Sequence, residues 1–447
     1  MLSHGGSTTI RTILALISLI GLAAPAIGQT PPAAPTKASE PLRTRAEALI
    51  PILAGGGDTA ASFAPAFLAQ IPDAKIRAVA TQLSDGFGAP FGIESLVATT
   101  PQTARLSLRY ARGTVMMTMT VEPDAPYRII GLLVTGTTSG EASLEQIAAT
   151  FAALPGTAGF SLARIGDGVP RALYGSKADT DFAIGSAFKL AILSEAIRAI
   201  NAGERRWDDV VTLDGSPLPG GQYAQQPAGT KVTLRELAQK MISIRDNSAT
   251  DALLAALGRE KVEAMLPVIG WRHAARNRPL LGTLDIFKLK GTPSGALGKR
   301  WLALDEKGRR ALLATEIAET PLSAIDPAMF QRGVPVMLDV EWFASPADLV
   351  RTMDWIRRNT ETGPGAEARA ILAINPGVGP AQAARWGYVG YKGGSEPGVI
   401  EMTLLLRSRG GVWYALAASW NNPAAAVDDA RFVALVSRAA DLLASGG

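Results

Sequence analysis

The 447-residue chain contains no cysteine. Disulfides, thiolate metal sites, cysteine-held iron–sulfur clusters and a cysteine nucleophile are therefore all excluded. Histidine is nearly missing too, with only His4 and His273 present. A serine–histidine–acid arrangement would have a single plausible imidazole to draw on, so hydrolytic chemistry here points to a different base. Charge is sparse: 44 basic and 40 acidic residues make up 19% of the chain and leave a net charge of +4. No dense lysine/arginine tract interleaves with aromatics, so no nucleic-acid partner is expected. What the chain does have is apolar material: 47% of its residues are hydrophobic, enough for sizeable cores. Its length suggests two or three domains.

The first segment accounts for part of that hydrophobicity. Arg11 and Thr12 precede an apolar run from Ile13 to Ala24, and Ala26-Ile27-Gly28 supplies small residues at a cleavage spacing. The run is shorter than a comfortable membrane span. Residues 1–28 are expected to be a signal peptide and 29–39, rich in proline, a flexible linker. The mature protein would be secreted or periplasmic, without stable membrane insertion.

Residues 40–142 read as a small α+β unit. Helices are expected over Pro41 to Leu53 and within Thr59 to Gln82. Strands are expected over Ala104 to Ala111, Thr114 to Val121 and Tyr127 to Val134. A curved antiparallel sheet packed on helices would resemble an NTF2-like or cystatin-like module, serving support, dimerisation or ligand enclosure. Residues 143–447 follow a different pattern. Strands near Ala158 to Arg164 and Arg171 to Gly175 precede a helix over Ile184 to Ile200, further helices, late strands from Trp386 to Ser419, and a closing helix from Ala426 to Leu443. A sheet built from both ends of this segment, flanked by helices and carrying a helical lobe between them, accounts for the order.

Three short motifs carry chemistry. In Phe182-Ala183-Ile184-Gly185-Ser186-Ala187-Phe188-Lys189, the i,i+3 spacing puts Ser186 and Lys189 on one helical face. A helix start favours negative charge developing near Ser186. A buried Lys189 would have its amine pKa lowered and could take the serine proton. The second motif is Ser243-Ile244-Arg245-Asp246-Asn247, and the third is Lys392-Gly393-Gly394-Ser395-Glu396-Pro397-Gly398. Their order and separations resemble the three active-site motifs of class A β-lactamases and penicillin-recognising serine hydrolases. With the amino-terminal module and Arg276-Asn277-Arg278-Pro279, the chain is also similar to the β-lactamase-like proteins associated with clavam biosynthesis.

The resemblance implies a role for each matched residue. Ser186 would be acylated, Lys189 would be its base, and Lys392 would support proton transfer and attract a substrate carboxylate. The backbone N–H groups of Ser186 and Ser395 would form an oxyanion hole. Asn247, Gly393, Gly394 and the Ser395 hydroxyl would contact substrate, and Asp246 would organise its turn. The departures matter as much. Arg245 stands where the family has a serine that relays a proton, and a guanidinium does not act as a routine general acid; it could instead bind an anionic substrate or form an ion pair. No E-x-x-L-N loop follows residue 257, so the water-activating glutamate of class A enzymes has no counterpart. Glu260 and Glu263 are expected on an exposed helix face, and His273 in a structural or surface role. Arg407 and Arg409 are expected at the surface.

The expected activity is serine hydrolysis of a β-lactam-like amide or an ester, without cofactor or metal. The alternative is a degenerate, acylable penicillin-binding-like protein with little turnover, serving binding or interaction. The substrate is a small molecule, and oligomeric state is left open.

Overall fold

A computed structural model describes residues 36–330 and 332–446. The signal segment expected over 1–28 lies outside the described residues. The chain divides into two compact units, Met1–Gly136 and Thr137–Gly447.

The first unit is a five-stranded sheet in the order β1 (Thr36–Lys37), β2 (Pro90–Ala98), β3 (Thr103–Tyr110), β4 (Gly113–Val121) and β5 (Ile129–Ser139). Helices α1 (Glu40–Leu53) and α2 (Asp73–Phe87) accompany it. Alternation in β3 and β4 sends Ala104, Leu106, Leu108, Val115, Met117 and Met119 inward, while Arg105 and Arg109 are exposed. The buried stripe of α1, including Leu42, Ala46 and Leu49, recurs at helical spacing. Thr36 and Lys37, expected within a flexible linker, instead pair antiparallel with Ala98 and Val97.

The second unit is built on an antiparallel sheet in the order β12-β13-β14-β6-β7. These strands are β6 (Thr157–Ile165), β7 (Arg171–Ser176), β12 (Tyr388–Glu396), β13 (Val399–Arg407) and β14 (Trp413–Asn421). Strands from both ends of the segment thus meet in one sheet. Two short pairs lie apart from it: β9 (Val210–Thr212) with β10 (Lys231–Thr233), and β8 (Phe182–Ala183) with β11 (Phe343–Ala344).

The helices used below are α3 (Leu144–Ala152), α4 (Lys189–Asn201), α5 (Leu234–Ser243), α6 (Asn247–Leu257), α7 (Arg259–Val268), α8 (Thr283–Gly291), α9 (Pro346–Asn359) and α10 (Asp429–Gly446). Strand periodicity assigns the two sheet faces. Ile400, Met402, Leu404 and Leu406 of β13 join Phe151 of α3 and Phe432 of α10 in one core. Leu405, with Ala415 and Ala417 of β14, joins α4 and the helical lobe in the other. Every odd-numbered residue of β13 therefore faces the lobe that carries α4, and this places the candidate site.

The helix expected from Ile184 is regular only from Lys189. Gly185–Phe188 forms a 3-10 turn first. The chain must swing from β8 into α4, and Gly185 does so with φ +49°, a conformation glycine adopts without a Cβ penalty.

Candidate active site

Ser186 sits in that 3-10 turn, against the end of β12. A Cβ added at Gly394 would lie 2.6 Å from the Ser186 nitrogen, and one added at Gly185 would lie 3.2 Å from the Ser395 nitrogen. The two glycines thus let the turn and the strand approach closely, and the backbone nitrogens of Ser186 and Ser395 come to neighbouring positions. Gly394 is filled from the protein's own side: a methyl there would collide with the turn that holds Ser186. A Cβ at Gly393 would instead strike the Tyr391 hydroxyl and the Glu401 carbonyl oxygen.

Lys189 opens α4 and is fully buried. Its Nζ donates to Asn247 Oδ1 at 2.8 Å and to the Arg245 carbonyl oxygen at 3.0 Å. Burial, reinforced by the nearby Arg245 charge, lowers the amine pKa to about 7, with Asp251 and Asp246 opposing the shift. Lys392 is buried on β12, and its Nζ donates to the Gly393 carbonyl oxygen at 2.6 Å. Burial, then the charges of Lys189 and Arg245, push its pKa well below the ordinary lysine value. Lys189, Asn247, Arg245 and Lys392 therefore share one electrostatic neighbourhood.

The turn between α5 and α6 is organised by Asp246. Its carboxylate accepts from Ala249 N at 2.8 Å, Gln222 N at 2.7 Å and Ser248 Oγ at 2.6 Å. This caps α6 and pins the loop before it. Arg245 adopts φ +63°, a left-handed conformation uncommon for a side-chain-bearing residue. Its exposed guanidinium donates from Nη2 to Ser395 Oγ at 3.0 Å, linking this turn to β12. Ser243 turns away and donates to the Gln239 carbonyl oxygen at 2.6 Å.

One other expectation needs correction. Glu263 is buried, not exposed: it accepts from Leu280 N at 2.8 Å and from Arg310 Nη2 at 2.5 Å, tying α7 to the following loop. Its buried carboxylate is tolerated because both partners satisfy it. In that loop Asn277 donates to and accepts from the backbone of Phe343, at 2.9 and 2.7 Å, so its amide is committed to structure. His273 is exposed, with Nδ1 3.0 Å from Asp181 Oδ2. Arg409 donates to the Ala384 carbonyl oxygen, and the Arg407 guanidinium lies over the Trp413 ring. A cavity of about 280 Å³ lies between the 276–281 loop and the 339–343 segment, with Trp301, Arg309 and Glu341 in its wall; its lining does not include Ser186, Lys189 or Lys392.

Three further groups had no place in the sequence reading. Glu401 of β13 is buried, hydrogen-bonded to Thr403 Oγ1, and pushed up to about 8 by burial. Asp251 accepts from Thr283 N at 2.7 Å and Leu284 N at 2.9 Å, fixing the start of α8. Lys290, at the other end of α8, is buried between Glu341 (3.0 Å) and Glu396 (2.7 Å). Of these, Glu401 had a sequence signal, as the lone charge inside the apolar run Val399 to Leu406.

Residues 143–323 match the Beta-lactamase enzyme family. This span of the larger unit is β-lactamase-like; it contains Ser186, Lys189 and Asn247 and ends before β12. Solved structures are also similar. A β-lactamase from Sphaerobacter thermophilus is 19% identical with a TM-score of 0.46, covering 68% of this chain and 97% of its own. A protein described as PBP-A is 17% identical (TM-score 0.45; 68% and 94% covered), and a β-lactamase from Chitinophaga pinensis is 15% identical (TM-score 0.45; 68% and 97% covered). No curated protein matches the chain. Among the described residues, no helix is long and apolar enough to cross a membrane, and no group of three or more histidines and acids could hold a metal ion.

Proposed function

We propose that this protein is an exported serine hydrolase that forms an acyl-enzyme on Ser186 with a β-lactam-like amide or an ester. The observation that carries the reading is Lys189: a buried amine three residues from Ser186, held by Asn247 and lowered to about 7. At neutral pH a large fraction of such an amine is uncharged and can accept a proton. Ser186 Oγ then bonds to the substrate carbonyl carbon while its proton passes to Lys189 Nζ. The oxyanion forms beside the Ser186 and Ser395 nitrogens. Collapse breaks the bond to the leaving nitrogen or oxygen, which takes up the proton, and Lys392 supports this transfer. Water later releases the acyl group. Arg245 and Ser395 together offer a cationic, hydrogen-bonding end to the site, suited to an anionic substrate group. The amino-terminal unit serves as an NTF2-like or cystatin-like auxiliary module, and the residue-1–28 segment directs export to the periplasm or beyond.

A second reading, an acylable protein with little turnover, is favoured by Asn277. Its side chain is bound at both ends to Phe343, in the loop where a water-activating carboxylate would be sought. One experiment separates the two. The protein is incubated with a reactive penicillin and with an activated ester, and intact mass is followed over time. A Ser186-dependent adduct that decays supports hydrolysis. A persistent adduct supports the second reading, and no adduct across the panel sinks both.

A further inference from the structure

The register of the main sheet brings one acid beneath the candidate site. Lys392 pairs with Thr403, and Gly394 with Glu401. Residues directly opposite in an antiparallel pair share a face, and odd-numbered residues of β13 face the α4 lobe. Glu401 and Thr403 therefore lie on the same face as Lys392, next to the position where a Gly394 side chain would meet the Ser186 nitrogen. Glu401 is 1% exposed. One of its oxygens pairs with Thr403 Oγ1, whereas Oε2 is buried without a hydrogen-bond partner. A buried carboxyl left half satisfied is costly, and such groups persist where they serve the site.

We propose that Glu401 is a positioning residue for Lys392: from beneath the Ser186 turn its ionised form supplies the counter-charge that sets the proton occupancy and orientation of the Lys392 amine. The inference rests on the reading of Ser186 and Lys392 given above. The charged groups acting on Glu401 are Lys392 from β12 and Arg245 from the α5–α6 turn. Those acting on Lys392 are the cations Lys189 from α4 and Arg245, and the acid Glu401. From β14 the opposed residue is Ser419, and the 185–188 turn brings no ionisable side chain. Helix α9 directs Arg357 away, to the Gly166 carbonyl oxygen. On the opposite face, the field of Asp429 from α10 is felt by Tyr391. Two cations, Lys392 and Arg245, thus face one buried acid. Burial moves the Glu401 pKa up and the Lys392 pKa down, toward one another, so a proton lost by one is felt by the other.

The test reads the Lys392 amine directly, by side-chain NMR of the full chain carrying ¹³C-labelled lysine, with the resonance assigned through Lys392→Arg. Glu401→Gln keeps the volume and an acceptor for Thr403 but removes the ionisable group. The expected result is a Lys392 midpoint lowered by about one pH unit, a tenfold change in proton affinity, with Glu401→Asp restoring part of it. A midpoint unchanged in Glu401→Gln overturns the proposal. Should that variant not fold, the wild-type titration decides: a biphasic Lys392 curve supports the pair, and a single step overturns it. Adduct formation by wild-type protein is measured in parallel. Its absence would sink the hydrolase reading, while the amine titration would still judge Glu401.

Discussion

Lys189 shows how one residue's surroundings set its chemistry. An exposed lysine near its ordinary value of 10.5 is almost entirely protonated at neutral pH, whereas burial brings this one to about 7. If Lys189 takes the Ser186 proton, acylation should rise with pH through a midpoint near 7, because only the uncharged amine accepts. Lys189→Met should lower the acylation rate by about 10²–10⁴, read from adduct growth at pH 7.5. Arg245 adds its own signature. Burial is the larger cause of the Lys189 shift and Arg245 the next, so Arg245→Ala should move the acylation midpoint to higher pH. Backbone strain separates two variants at this position. At φ +63°, alanine retains the left-handed penalty and glycine does not. Arg245→Gly should therefore exceed Arg245→Ala in stability by about 1 kcal/mol in urea unfolding.

At the scale of elements, helix α8 is held at both ends by buried charge. Asp251 of α6 receives its first amides, and Lys290 near its last turn joins Glu341 and Glu396. The second cluster has two carboxylates for one lysine. Burial, with the neighbouring Glu341 charge, raises Glu396 to about 8. Its folded pKa lies above the unfolded one, so folded protein retains a proton that unfolded chain has already lost. That contribution is fully present below the unfolded value of 4.5 and is lost as pH rises through about 8. Through this group urea midpoints should fall between about pH 5 and pH 7, and Glu396→Gln should flatten part of that slope, with Glu401 and Asp251, raised by burial to about 8 and about 6, adding to it. Lys290→Met would leave buried Glu341 and half-buried Glu396 without their cation and should cost about 3–5 kcal/mol, measured in the same unfolding series. The cluster also matters to position, since Glu396 directly follows Ser395 at the end of β12.

For the whole molecule, the two compact units each bury apolar residues of their own. Such units can unfold separately. Calorimetry is expected to give two transitions, and a covalent adduct on Ser186 should shift only the one belonging to Thr137–Gly447. A shift of both would mean that they unfold cooperatively.

Some of this was written locally along the chain. The i,i+3 spacing of Ser186 and Lys189, the Asp246 cap and the alternation in β3 and β4 each depend on neighbours within a few residues, so the sequence displayed them. It also excluded cysteine chemistry outright. Other features depended on which distant segments meet. Arg245 reaches Ser395 across 150 positions, Glu263 is buried only because Arg310 and the 280 backbone close over it, and Glu401 shares a face with Lys392 only through the β12–β13 register. A one-residue slip would have turned that carboxyl to the opposite face. Residue types and short spacings thus determined which groups were available for chemistry. Burial, register and the convergence of Lys189, Arg245 and Lys392 decided their charge, because a pKa is set by desolvation and by neighbours in space rather than by neighbours in sequence.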